Sequence, residues 1–146
     1  MATEQFKLGM NGKLYYGDEA ALLAAMTELA NVRDVTVTQE KGEADVTTRG
    51  NSGYRATAGT LKECTIEWQM LFKPDDAAFQ AVRDAYYNNT LLALCPLSGP
   101  RETSKSEGIK GDFAITGFTK GEPLEEAQTV DVTAKLSVFT EYVKVE

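Results

Sequence analysis

Apolar and polar residues alternate one by one along several stretches of this chain. Between residues 61 and 72, Ile66, Trp68, Met70 and Phe72 fall on one side of an extended backbone, and Thr65, Glu67 and Gln69 on the other. Between residues 128 and 139, Val130, Val132, Ala134, Leu136 and Val138 alternate with Thr129, Asp131, Thr133, Lys135 and Ser137. Residues 31–40 alternate Val35 and Val37 with Thr36 and Thr38. A period of two predicts strands with one buried and one wet face. Residues 91–96, LLALCP, form a continuous apolar run that also predicts a strand. Another is expected at 109–118, where Gly117 interrupts the alternation of Phe113 and Ile115 and predicts a bulge.

One segment follows the helical period instead. Ala78, Phe79, Val82, Ala85 and Tyr86 form a stripe between Pro74-Asp75-Asp76 and Asn88-Asn89, while Gln80, Arg83 and Asp84 face away. An acidic first turn and terminal asparagines suit a helix from about 75 to 88. A shorter helix is expected within residues 18–29, which are rich in Ala and Leu, with Leu22, Met26 and Leu29 on one face and Asp18 as N-cap. Residues 6–16 hold two short strand candidates around the turn Gly9-Met10-Asn11-Gly12. The pattern as a whole predicts a mainly β single domain over residues 1–146, an antiparallel sandwich or barrel with one flanking α-helix.

Between the first two long strand candidates lies a polar segment, residues 39–60, QEKGEADVTTRGNSGYRATAGT. It mixes Glu40, Lys41, Glu43, Asp45, Arg49 and Arg55 with four glycines and one aromatic, Tyr54. Loops of this length in a compact domain are usually functional or disordered. With so little apolar anchorage, this one reads as an arm that meets a partner. Residues 98–108 are expected to form a second polar loop.

Composition narrows the chemistry. The 146 residues carry a formal net charge of -7, which argues against a surface that grips phosphates. The same acidity does not rule out a wall past which nucleic acid slides, because like charge discourages sticking. No apolar run reaches the length of a membrane span, and residues 1–10 lack the pattern of a secretory signal, so synthesis in a cytoplasm is expected. Cys64 and Cys95 fall in different strand candidates without metal-site spacing, and two buried free thiols are expected. The sequence contains no histidine, which removes the commonest general base and metal ligand. No nucleophile elbow, zinc-protease, redox or phosphate-loop motif occurs either.

The remaining clusters read as structure. Asp75-Asp76 fits a helix N-terminus better than a metal pair. Glu122, Glu125 and Glu126, beside Pro123, fit a solvated turn better than a hydrolase's paired acids. Trp68 runs in phase with Ile66 and Met70, which fits core packing better than a stacking platform with Tyr86 and Tyr87. Catalysis, cofactors and metals are not expected.

Four segments in collinear order, NVRDVTV, EKGEADVTTRGNSGYRATAGTLKE, DDAAFQAVRDAYYNNT and DFAITGFTKGEPLEEAQTVDVTAKL, resemble the tail tube proteins of long-tailed phages and prophages. The most specific pieces are Asp45-Val46-Thr47-Thr48-Arg49, Gly53-Tyr54-Arg55-Ala56 and Glu122-Pro123-Leu124-Glu125. The resemblance implies a structural subunit of the virion tail, made in the host bacterial cytoplasm. Six copies would form a ring whose sheets join into a larger barrel, and rings would stack into a hollow tube that conducts the genome. The implied partners are further copies of the chain, tail initiator and terminator proteins, a tape measure protein, and DNA that passes without specific binding. Glu43, Asp45, Thr47, Thr48, Arg49, Tyr54 and Arg55 are candidates for contacts of the arm with a neighbouring subunit or ring. Thr65, Glu67, Gln69, Thr129, Asp131 and Thr133 are candidates for the channel lining, with Lys135 on the same face. A ring of six would carry about -42 formal charges, six times -7. Two alternatives stand beside this reading: a tube protein of a contractile tail or type VI secretion-like machine, and a monomeric small-ligand β-barrel with Trp68 and Tyr86 at its pocket.

Overall fold

The computed structural model describes residues 8–146. Among these residues the strands are β1 (Lys13–Gly17), β2 (Thr27–Glu28), β3 (Val35–Asp45), β4 (Thr57–Leu71), β5 (Leu91–Leu97), β6 (Glu107–Gly121) and β7 (Thr129–Lys144), with one α-helix, α1 (Ala77–Asn88), between β4 and β5. They form one antiparallel sheet in the order β2-β1-β5-β6-β7-β4-β3.

The sheet rolls over a single main core. Ile66, Trp68 and Met70 of β4 and Val130, Val132 and Ala134 of β7 share that core with Leu14 of β1, Leu92 and Leu94 of β5, Phe113 and Ile115 of β6, and the buried stripe of α1. Each strand contributes alternate residues, as the period of two requires. The stripe of α1 is buried at Ala78, Phe79, Val82 and Ala85, and Asn89 closes the helix in the left-handed conformation, φ 57°. Asp76 holds the N-cap position but makes no side-chain capping bond. Phe79 packs edge-on against Phe72, with ring centroids 5.2 Å apart.

The other face of β1 and β5 is covered by a strap formed from residues 18–28. Tyr15, Met26, Ala93, Cys95, Leu97 and Val143 make a second, smaller core beneath it. The helix expected at 18–29 does not form; the segment holds a 3-10 turn, Leu23–Ala25, followed by β2. Met26 belongs to the smaller core and Leu29 to the main one, so residues that a helix would bring to one face bury on opposite sides of an extended chain. Ala20, at φ 65°, donates its N–H to the Asp112 carboxylate (2.8 Å). The Arg101 guanidinium donates to the Leu23 carbonyl (2.8 Å) and the Met26 carbonyl, and lies 5.0 Å over the Tyr15 ring. These long-range bonds outcompete the weak propensity of a short Ala-rich helix.

Of the two strand candidates expected at residues 6–16, the second is β1, and residues 9–11 form a 3-10 turn before it. The first begins in residues 6–7, outside the described residues. The bulge at Gly117 is present: the β6–β7 register shifts between Ile115 and Gly117, leaving Thr116 as the extra residue. Further shifts occur at Lys110/Gly111 and Asp112/Phe113, so the apolar alternation of β7 drifts out of the core beyond Leu136 and leaves Val138 and Phe139 exposed. Cys64 and Cys95 are both free and buried, one in each core, so they lie on opposite sides of the sheet.

Candidate functional site

The polar residues of β4 and β7 lie side by side on one face. Thr65 pairs with Lys135, Glu67 with Thr133, Gln69 with Asp131, and Leu71 with Thr129. Their core-side neighbours Ile66, Trp68, Val130 and Val132 are buried on the opposite face. The face continues onto β3, where Thr36 and Thr38 pair with Glu67 and Thr65, and onto β6, where Gly117, Thr119 and Gly121 pair with Thr133, Asp131 and Thr129. All six lining candidates, Thr65, Glu67, Gln69, Thr129, Asp131 and Thr133, therefore sit on one four-stranded polar wall. Gln69 ties the wall laterally: its amide donates to Asp131 (3.1 Å), and its carbonyl accepts from Arg33 (3.5 Å).

Sequence reasoning missed Glu40, Glu63 and Thr119 as members of this wall. The signal was present in the alternation of residues 36–40, but their place depends on a β3–β4 register that only pairing reveals.

Among the described residues the wall has a free edge along β3 and a second along β6 beyond Ala114. β3 ends the sheet, and β5 pairs with β6 only through residues 111–114, so no strand of the described chain covers the side of β6 beyond Ala114. Within β6-β7-β4-β3 every neighbouring pair is antiparallel. Strand directions alternate over an even number of strands, so the β3 edge of one copy can meet the β6 edge of a rotated copy with antiparallel pairing preserved. Exposed edges of this length are normally blunted or partnered.

The polar segment 39–60 is an arm with more structure than its composition suggested. β3 and β4 stay paired as far as Asp45 and Thr57, and only residues 46–56 form the tip. Sequence reasoning took a run of glycines and charges for loop; both faces of this hairpin are wet, so no apolar alternation marks it as strand. Glu43 and Asp45 lie on the paired strand. Thr47 and Thr48 begin the tip, and Arg49, Tyr54 and Arg55 project from it, all exposed. Thr47 closes the tip base: its hydroxyl accepts from the Ala56 N–H (2.8 Å), and its own N–H donates to Asp45 (2.9 Å). Side-chain and backbone bonds from Thr47 lower the Asp45 carboxyl below its ordinary value. Ser52 and Gly53 turn the chain in the left-handed region, at φ 54° and 84°. Lower in the hairpin, Glu40 faces Glu63 and Lys41 faces Lys62, two like-charge cross-strand pairs that disfavour an isolated hairpin.

An open groove of about 960 Å³ runs between the β1–β2 end of the sheet and the β3 edge, lined in part by Leu14, Leu29, Val35, Val37, Ile109 and Tyr142. Neither Trp68 nor Tyr86 lines it. Trp68 is 3% exposed in the core, and Tyr86 stacks on Phe118 with centroids 5.5 Å apart. A small-ligand reading built on these two residues therefore finds neither of them in this groove. Glu122, Glu125 and Glu126 lie in the exposed β6–β7 turn, where Glu122 pairs with Lys120 (3.2 Å).

Residues 12–139 match the family model described as phage tail tube protein. The chain belongs to the phage tail tube protein family. No curated protein sequence matches it. Among solved structures, this tail tube protein is similar to a chain in the tail of an empty GTA particle determined with C6 symmetry, with a TM-score of 0.73 at 14% identity, covering 97% of this chain and 100% of that one. It is likewise similar to the SPP1 tail tube, with a TM-score of 0.73 at 17% identity over 96% of this chain and 80% of that one. A more distant likeness, with a TM-score of 0.58 at 5% identity, is to a chain of the anti-feeding prophage baseplate, covering 98% of this chain and 96% of that one. The fold is thus that of tail tube subunits, and the protein is a structural component of a phage tail tube.

Proposed function

We propose that six copies of this tail tube protein close into a ring through the free edges of the polar wall, β3 of one copy against β6 of the next. The single observation that carries the reading is an even-stranded antiparallel wall, polar on one face, apolar on the other and, among the described residues, unpaired along β3 and along β6 beyond Ala114. C6 symmetry in the similar GTA tail supports the number six. Six four-stranded walls at about 4.8 Å per strand give a circumference of roughly 115 Å before strand tilt, wide enough for a channel that passes a nucleic-acid duplex.

In this reading Thr65, Glu67, Gln69, Thr129, Asp131 and Thr133 line the channel, α1 lies outside it, and the β3–β4 arm reaches a neighbouring subunit or ring. The genome passes without specific binding, because fixed carboxylates repel phosphates. The protein does no chemistry and needs no cofactor. It is made in the bacterial cytoplasm and joins initiator, terminator and tape measure proteins in the virion tail.

Electron microscopy of the purified protein tests the reading. Hollow rings or tubes with six-fold symmetry are expected. A particle that stays monomeric at all concentrations and in the presence of tail initiator proteins overturns it.

A further inference from the structure

Two exposed surfaces of opposite charge lie at opposite ends of the polar wall. At one end is the hairpin tip, residues 46–56, which holds Arg49 and Arg55 and no carboxylate. At the other is the β6–β7 turn, residues 122–128, which holds Glu122, Glu125 and Glu126 and no cation. Glu122 is engaged by Lys120, but Arg49, Arg55, Glu125 and Glu126 pair with no opposite charge among the described residues. Each surface also presents uncovered apolar side chains: Val46 and Tyr54, 51% and 75% exposed, on the tip, and Leu124, 100% exposed, on the turn.

The separation is fixed by β4. Its 15 residues span roughly 50 Å, from Thr57 at the base of the tip to Leu71, whose partner Thr129 follows the turn. A rotation about the channel axis, which relates copies within a ring, leaves every tip at one end and every turn at the other. Only an axial step brings a tip to a turn. That contact is head to tail, so it propagates without closing.

We infer that the hairpin tip docks on the β6–β7 turn of a second copy of this chain in the next ring, with Arg49 and Arg55 against Glu125 and Glu126 and Tyr54 against Leu124. The inference rests on the tail tube reading and adds the receiving surface to it. Charge complementarity sets the direction of stacking, since tip against tip places arginines together and turn against turn places glutamates together.

Charge reversal tests this. Arg49→Glu with Arg55→Glu, or Glu125→Arg with Glu126→Arg, should leave the thermal melt in place and reduce sedimentable tubes at least tenfold, with single rings remaining. All four reversals in one chain, or an equal mixture of the two reversed proteins, should restore stacking. Independently, oxidising Tyr54→Cys/Leu124→Cys protein under assembly conditions should give a ladder of covalent dimers, trimers and longer chains. Reversed variants that stack like the parent, or normal tubes of the double-cysteine protein that stay uncrosslinked, overturn the docking site while leaving the ring reading intact. A parent protein that forms no rings at all overturns the ring reading itself.

Discussion

Glu67 and Trp68 are adjacent in the chain and face opposite environments, one on the polar wall and the other in the core. Residues such as Phe79 belong wholly to the second kind. Its ring is 1% exposed beneath α1, packed against Phe72 and Phe118. Phe79→Ala should cost about 3 to 5 kcal/mol, seen as a melting temperature lower by many degrees in the unassembled protein. An unchanged melt would mean that the stripe packs on a neighbour. The thiols give a second test. Burial pushes Cys95 up to about 12, with Lys110 opposing and Glu141 adding to the shift, and burial raises Cys64 as well. Both should resist thiol reagents at pH 8 until the protein is denatured, when two free thiols per chain react. The unfolded Cys95 thiol ionises at about 8.5, whereas the folded one keeps its proton. Its contribution to stability is therefore full below about pH 8.5 and is lost as pH rises toward 12. Urea titrations at pH 8 and pH 10.5 should show the midpoint falling.

The elements differ in how much of them the sequence disclosed. Helix α1 and the core-facing stretches of β4 and β7, residues 64–71 and 129–136, were legible because one face is buried there, so the period of the apolar residues states the conformation. The bulge at Gly117 was legible for the same reason, as a break in that period. Residues 18–29 were not, since their conformation is set by Asp112 and Arg101, about 90 and 80 residues away, and by burial on both sides of an extended strand. The paired part of the arm was hidden because neither of its faces is buried. The wall residues on β4 and β7 could be named from alternation alone, whereas their union with β3 and β6 needed the register. Deleting residues 42–59 and joining the ends with a short Gly-Ser linker removes the tip and the upper ladder but leaves residues 35–41 paired with 62–68. Circular dichroism and the thermal transition should persist while tube formation is lost. Collapse of the folded signal would assign the arm to the core's stability instead of to assembly.

In the proposed tube the polar wall lines the channel. Glu67→Lys with Asp131→Lys should leave folding and ring formation intact, because Ile66, Trp68, Val130 and Val132 keep the opposite face buried. A ring of six would exchange about 12 negative charges for 12 positive ones, enough to turn a wall that repels phosphates into one that binds them. Mutant tubes should retain DNA at low salt and release it as salt rises, and retention equal to the parent's would remove these two residues from the channel. Side chains of a joined wall can face the channel only if each subunit presents β6-β7-β4-β3 inward and α1 outward. A helical reconstruction of the assembled tube by electron cryomicroscopy reads that orientation directly. The expected map has six subunits per ring, β3 of each paired with β6 of the next, and Thr65, Glu67, Asp131 and Thr133 on the channel surface. A map with α1 facing the channel, or with the β3 edge unpaired, would contradict the account.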